Sequence, residues 1–120
     1  MQVQFDTPDI AGLVLQCDMR GTIIRVLHDQ LGIIAHLEPE QLLSSLVERE
    51  NLPKMLNFIA TLRAQRMTFD WQMNVPHGDE ILPLTFAGAI VEELMLVLAA
   101  KSRDDVMRRT CAAIQRALPE

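Results

Sequence analysis

The stretch that decides the fold is GLVLQCDMRGTIIRVLH, Gly12 to His28, two apolar runs joined by the polar turn Asp18-Met19-Arg20-Gly21. It reads as a β-hairpin: Gly21 takes a positive φ without steric cost, and the Asp18 side chain can bond its own backbone across the turn. Leu13, Leu15 and Cys17 share one face of the first run, with Val14 and Gln16 on the other. In the second run, simple alternation puts Ile24, Val26 and His28 on one face and Ile23, Arg25 and Leu27 on the opposite one. Both faces of the hairpin are therefore apolar, which predicts that both are covered, the second by terminal helices or a partner subunit.

Outward from the hairpin, the pattern becomes helical between Asp29 and Gln65. Pro39 after Glu38 is a helix-start signal, and Leu42, Leu43, Leu46 and Val47 recur at helical spacing. Asn51 is a suitable N-cap for a longer helix, Pro53 to Gln65, with Met55, Leu56, Ile59 and either Leu62 or Arg63 along one stripe. Met67 to Val75 then alternates, with Met67, Phe69, Trp71, Met73 and Val75 on one side. A turn at Pro76-His77-Gly78-Asp79 leads to a strand from Glu80 to Val91, where Pro83 predicts an edge or a bulge. Glu92-Glu93 reverses the chain. Leu94 to Ala100 is apolar throughout, as a central strand covered on both faces would be.

The two ends read as helical. Asp6 or Thr7 can cap a short N-terminal turn with Pro8 in its first position. Ser102 or Asp104 can cap a final helix in which Met107, Cys111, Ile114 and Leu118 recur at seam spacing. Two readings fit that helix: an amphipathic helix folded back on its own sheet, or the start of a signalling coiled coil that pairs two subunits. The expected organisation is a domain over residues 1–101 followed by a C-terminal signalling or dimerisation helix over 102–120.

Composition narrows function by exclusion. A chain of 120 residues suits one domain, and with aromatic residues at only 4% and no Tyr its core must be built from Leu, Ile, Val and Met. The net charge of −5 and scattered basic residues argue against a nucleic-acid partner. Neither a signal peptide nor a membrane span is legible, so the expected location is cytoplasmic, without membrane insertion. Cys17 and Cys111 form no metal motif and no disulfide framework, and His28, His36 and His77 lack paired ligand spacing. No nucleophile elbow, phosphate-binding glycine loop or base-paired nucleophile occurs, so no catalytic or metal site is expected in this segment.

The turn Asp18-x-x-Gly21-x-Ile23, the acidic step Leu46-Val47-Glu48-Arg49-Glu50, the helix Pro53 to Gln65 and the three closing strands together resemble the PAS sensor domain, over roughly Asp9 to Asp105. The family's Asp-Ile-Thr exit motif is replaced here by Ala99-Ala100-Lys101-Ser102. The resemblance implies an α+β (α/β PAS-like) fold: a five-stranded antiparallel sheet with short connecting helices on one face and terminal helices on the other. It implies a sensory and dimerisation module of a bacterial signal-transduction protein, such as a histidine kinase, working as a homodimer with its output domain outside this segment. Its contacts would come from Ile23, Leu27, Met107, Cys111, Ile114 and Leu118.

The family's cofactors can be tested against these residues. Flavin-binding members carry a reactive Cys at the start of the long helix, where this chain has Glu50-Asn51-Leu52-Pro53-Lys54. Haem-binding members place a His in or near that helix, and Leu52 to Gln65 has none, with His36 upstream. A photoactive-yellow-type chromophore needs Tyr partners. Flavin and haem are thus disfavoured, leaving an unknown small organic ligand in an apolar pocket lined by Met55, Ile59, Trp71, Met73 and Leu96. The alternative is a ligand-free interaction module that only dimerises.

Overall fold

The computed structural model describes residues 12–34 and 38–101. The expected N-terminal turn, His36 and the whole Met107–Leu118 seam lie outside the described residues. The described elements are β1 (Gly12–Cys17), β2 (Ile23–Asp29), two 3-10 turns (Leu43–Leu46 and Arg49–Asn51), α1 (Leu52–Gln65), β3 (Met67–His77), β4 (Glu80–Val91) and β5 (Leu94–Ala100). They form one antiparallel five-stranded sheet in the order β2-β1-β5-β4-β3 and pack as a compact α+β fold.

The hairpin forms for the reasons its sequence contains. Asp18 N–H donates to the Thr22 carbonyl at 2.9 Å and Gly21 N–H to the Asp18 carbonyl at 3.0 Å. The Asp18 carboxylate accepts from the backbone N–H groups of Arg20 and Thr22, both at 3.0 Å. Gly21 sits at φ 92°. From β2 the chain crosses one face of the sheet through the 3-10 turns and α1, reaches the far edge, and returns as the meander β3-β4-β5. That path makes β5 central, between β1 and β4. Pro83 lies where β4 pairs only with β3, beyond the reach of β5, so its missing N–H breaks no ladder on that side.

One face of the sheet, the inner one, meets α1 and the turns. Its core joins Leu13, Leu15 and Cys17 of β1, Met73 and Val75 of β3, Leu84 and Phe86 of β4, Met95 and Val97 of β5, and Met55, Phe58, Ile59 and Leu62 of α1. The outer face carries Val14, Leu96 and Leu98 in one cluster and Ala87 and Ala100 in another.

Bulges overturn two face assignments that strict alternation makes. In β2 the register slips twice, so Cys17 pairs with Ile23 and Leu15 with Val26. Ile23 therefore enters the inner core at 4% exposure, while Leu27 packs on the outer face against the Val14 cluster. Ile23 and Leu27 do not share a surface, because each bulge adds a residue and reverses the alternation beyond it. In β3 the slip lies between Thr68 and Trp71, with Asp70 at φ 72°. Phe69 consequently packs with Ala87 and Ala100 outside, whereas Trp71, Met73 and Val75 face inward.

The connecting region is also less helical than its spacing predicts. Pro39 starts a turn, not a helix, with Glu40 in the left-handed region at φ 60°. Leu43 and Leu46 still reach the core, but from a single 3-10 turn, and Val47 reaches it from the extended residue that follows. Leu42 is left exposed, bridging to Thr22 alongside the start of β2.

Candidate functional site

Helix α1 brings the expected pocket residues to the inner face. Leu52–Gln65 has Pro in its first turn, where a missing N–H costs nothing, and closes at Arg66, which adopts φ 67° and donates its N–H to the Leu62 carbonyl. The buried stripe is Met55, Phe58, Ile59 and Leu62, at the three- and four-residue spacing of one helical face. Leu56, expected on that stripe, is 53% exposed. Phe58 takes its place, and the signal was available in its offset of three from Met55 and four from Leu62.

Met55, Ile59 and Met73 come together in the inner core, with Trp71 packed at its margin. Phe58 is fully buried in the same cluster. Its ring meets Trp71 edge-on at 5.7 Å between centroids and Phe86 edge-on at 6.1 Å, the arrangement favoured by aromatic quadrupoles. Trp71 satisfies its indole N–H by donating to the Thr68 hydroxyl at 2.8 Å. Leu96, the fifth expected pocket residue, is on the outer face with Val14 and Leu98 and cannot line the same space.

Gly88 sets how closely α1 approaches. A Cβ there would stand 2.9 Å from a Leu62 methyl and 3.1 Å from the Leu96 carbonyl oxygen, so the absence of a side chain lets the helix rest on β4. The other end of α1 is tied to the sheet edge. Asn51 does not cap the helix with its side chain; its amide oxygen instead accepts the Asn74 N–H at 2.6 Å. Glu48 N–H donates to the Asn74 carbonyl at 2.9 Å. Together they occupy the exposed edge of β3, a position that would otherwise offer free pairing groups to another chain.

Among the described residues, Cys17, His28 and His77 lie on three different strands. Cys17 is buried, and burial first and the Asp18 charge second push its thiol up to about 12, so it is neutral and a poor nucleophile at physiological pH. His28 lies on β2 opposite Val14, with its Nε2 buried and no hydrogen-bond partner for that atom among the described residues. His77 ends β3, at the far edge of the sheet. Among the described residues, no group of three or more His, Cys, Asp or Glu side chains is placed to hold a metal ion. No described helix is long and apolar enough to cross a membrane.

No protein-family model matches this chain, and no curated protein matches it. The functional reading therefore rests on the residues and on the geometry they adopt.

Proposed function

We propose that this chain is a PAS-like sensory and dimerisation module of a bacterial signal-transduction protein, cytoplasmic and without catalysis of its own. A small apolar ligand or a protein partner would favour one packing of α1 against the inner face. The C-terminal helix would relay that change to an output domain. The element order supports this reading: hairpin, connecting turns, one long helix, then three strands returning to the centre of the sheet.

The observation that carries the sensory part is the methionine content of the inner core. Met55, Met73 and Met95 are all at most 1% exposed and belong to one cluster beneath α1. Methionine is unbranched and polarizable, so a core built around three of them can repack around a guest with less strain than one built from β-branched residues. Met55 and Met73, with Ile59 and Trp71, are the contacts proposed for that guest.

A specific feature favours the second reading, a ligand-free interaction module. Phe58 already fills the space between Trp71 and Phe86, so a ligand would have to displace its ring. Native mass spectrometry of the purified chain, from gentle to denaturing conditions, separates the two. A homodimer that releases a defined organic mass on denaturation supports sensing; an empty dimer supports the interaction module. An empty monomer at all concentrations would sink the dimerisation that both readings share.

A further inference from the structure

Helix α1 is apolar on the side that meets water as well as on the side that packs. Away from its buried stripe, the exposed positions include Leu52, Pro53, Leu56, Ala60 and Ala64, with Leu52 at 37% and Leu56 at 53% exposure. A helix in water needs no leucine there, because Lys, Gln or Glu forms helix about as well without leaving apolar surface wet. Single leucines scattered over a surface are ordinary, but these two lie one turn apart on one line. A helix that is apolar on all sides is one that something covers.

The charges along that line have one sign. From Asn51 to Arg66 the chain carries Lys54, Arg63 and Arg66 and no acid, in a protein whose net charge is −5. Arg49 stands one 3-10 turn before Leu52, a spacing at which side chains eclipse, and Arg63 follows Ala60 by a helical step. The exposed line therefore reads Arg49, Leu52, Leu56, Ala60, Arg63, with an arginine at each end. Arg66 is paired with Glu93, whereas Arg49 and Arg63 have no ion pair among the described residues. Glu50 follows Arg49 about a third of a turn round the axis and so lies off the line.

We propose that this outer side of α1 is the docking surface for a partner protein, and that it takes an amphipathic helix whose apolar seam carries Asp or Glu at both ends. Leu52, Leu56 and Ala60 receive the seam, and Arg49 and Arg63 pair with its terminal carboxylates. The inference rests on the functional reading above only in naming the chemistry of the protein partner which that reading allows, and it requires no guest in the inner core.

Charge and shape choose this occupant. A second copy would bring arginine or lysine against its like whether the two α1 helices ran parallel or antiparallel, and like charges in close approach oppose docking. A flat lipid surface would meet Glu48 and Glu50 together with the arginines, and an anionic one would repel a chain of net charge −5. An acidic helix meets the line alone. Leu52 to Arg63 spans about 17 Å, or about three turns of a partner helix, and Ala60 is small enough to let that helix come close. The opposite side of α1 holds Met55, Phe58, Ile59 and Leu62, so a helix docked here bears directly on the packing of the inner core.

The probe is a fluorescein-labelled synthetic helix of about four turns, with leucines at three- and four-residue spacing and glutamates at each end of that seam, titrated with the full-length chain by anisotropy. The expected result is saturable binding that weakens as salt rises from about 0.05 to 0.5 M. The same peptide with Lys in place of Glu is expected to bind about tenfold more weakly or worse. Leu56→Gln, at an exposed site, should leave the thermal melt in place and weaken binding of the acidic peptide about tenfold. Arg49→Glu combined with Arg63→Glu should reverse the ranking of the two peptides, which a merely structural role for these arginines would not do. Absence of binding, or equal binding of both peptides, overturns the proposal. Vesicles of phosphatidylglycerol that bind the chain when the acidic peptide does not overturn it in favour of lipid. Self-association in sedimentation that Leu56→Gln abolishes overturns it in favour of a second copy. The ranking of the two peptides by the parent chain decides the matter even if a variant fails to fold. Release of a guest in mass spectrometry has no bearing on that ranking, so failure here is distinguishable from failure of the sensory reading.

Discussion

The two faces of the sheet are equally dry and differently built. The inner face carries Leu13, Leu15, Met73, Leu84, Phe86 and Met95, large side chains that meet a helix whose own stripe includes Phe58. The outer face is mostly Val14, Ala87, Ala89, Leu96, Leu98 and Ala100, with Leu27 and Phe69 at its margins. A deep, large-residue face makes a thick core that can be repacked. A shallow one lets a covering element come close to the backbone and leaves little volume between. The inner face is the one on which the proposed guest would act, because its side chains are the larger and the more readily repacked.

Substitutions on the two faces test this contrast. Phe58→Ala, which empties part of the inner core, is expected to lower unfolding free energy by about 3–5 kcal/mol. Leu98→Ala is its counterpart on the outer face, with an expected loss of about 2–5 kcal/mol if that face is covered in solution. A loss well under 1 kcal/mol in urea melts would mean that the outer face is open to water and the contrast is wrong.

Gly88→Ala sharpens the inner side. Its methyl would press on Leu62 and on the Leu96 carbonyl oxygen, so α1 must lift, at an expected cost of about 1–3 kcal/mol. Unchanged stability would mean that α1 does not rest this closely on β4.

Glu93→Gly touches neither face and serves as the control. Glu92 and Glu93 turn the chain between β4 and β5 with φ 53° and 63°, a conformation that favours Gly or Asn. Relieving one of them should raise stability by about 1 kcal/mol. The substitution also removes the ion pair between Arg66 and Glu93, which at 3.4 Å and with both side chains well exposed contributes little.

The last expected effect is absent at neutral pH and appears only in alkali. Because folding raises the Cys17 pKa to about 12, the unfolded chain releases that proton first as pH climbs. The stability associated with the neutral thiol is intact below the ordinary thiol pKa of about 8.5 and declines as pH rises from there toward 12. Cys17→Ala should flatten that decline in melts run between pH 8 and pH 11 relative to the parent chain, and an identical slope would mean that Cys17 ionises as freely folded as unfolded.

Several elements are legible from local chemistry alone. Asp18 and Gly21 specify their turn through bonds that span only a few residues, and the seven apolar residues from Leu94 to Ala100 mark a strand buried on both sides. The long helix is readable from Pro53 and its periodic stripe, although that stripe includes the fully buried Phe58 in place of Leu56. Asn51 shows the limit of such reading. Its side chain suits a helix cap, yet it binds Asn74, which lies far along the chain and reaches it only once β3 is in place.

What the sequence by itself determined is the order of the five strands and the long helix and the apolar character of both sheet faces, because each follows from the period of a short segment. Only the tertiary structure decided which residues share a face. A bulge at Asp70 and two in β2 sent Phe69 outward and drew Ile23 inward, and the sheet separated Leu96 from Met55, Ile59 and Met73. A bulge is a property of two paired strands, set by how their twist and side chains fit across the ladder, and neither strand carries it alone.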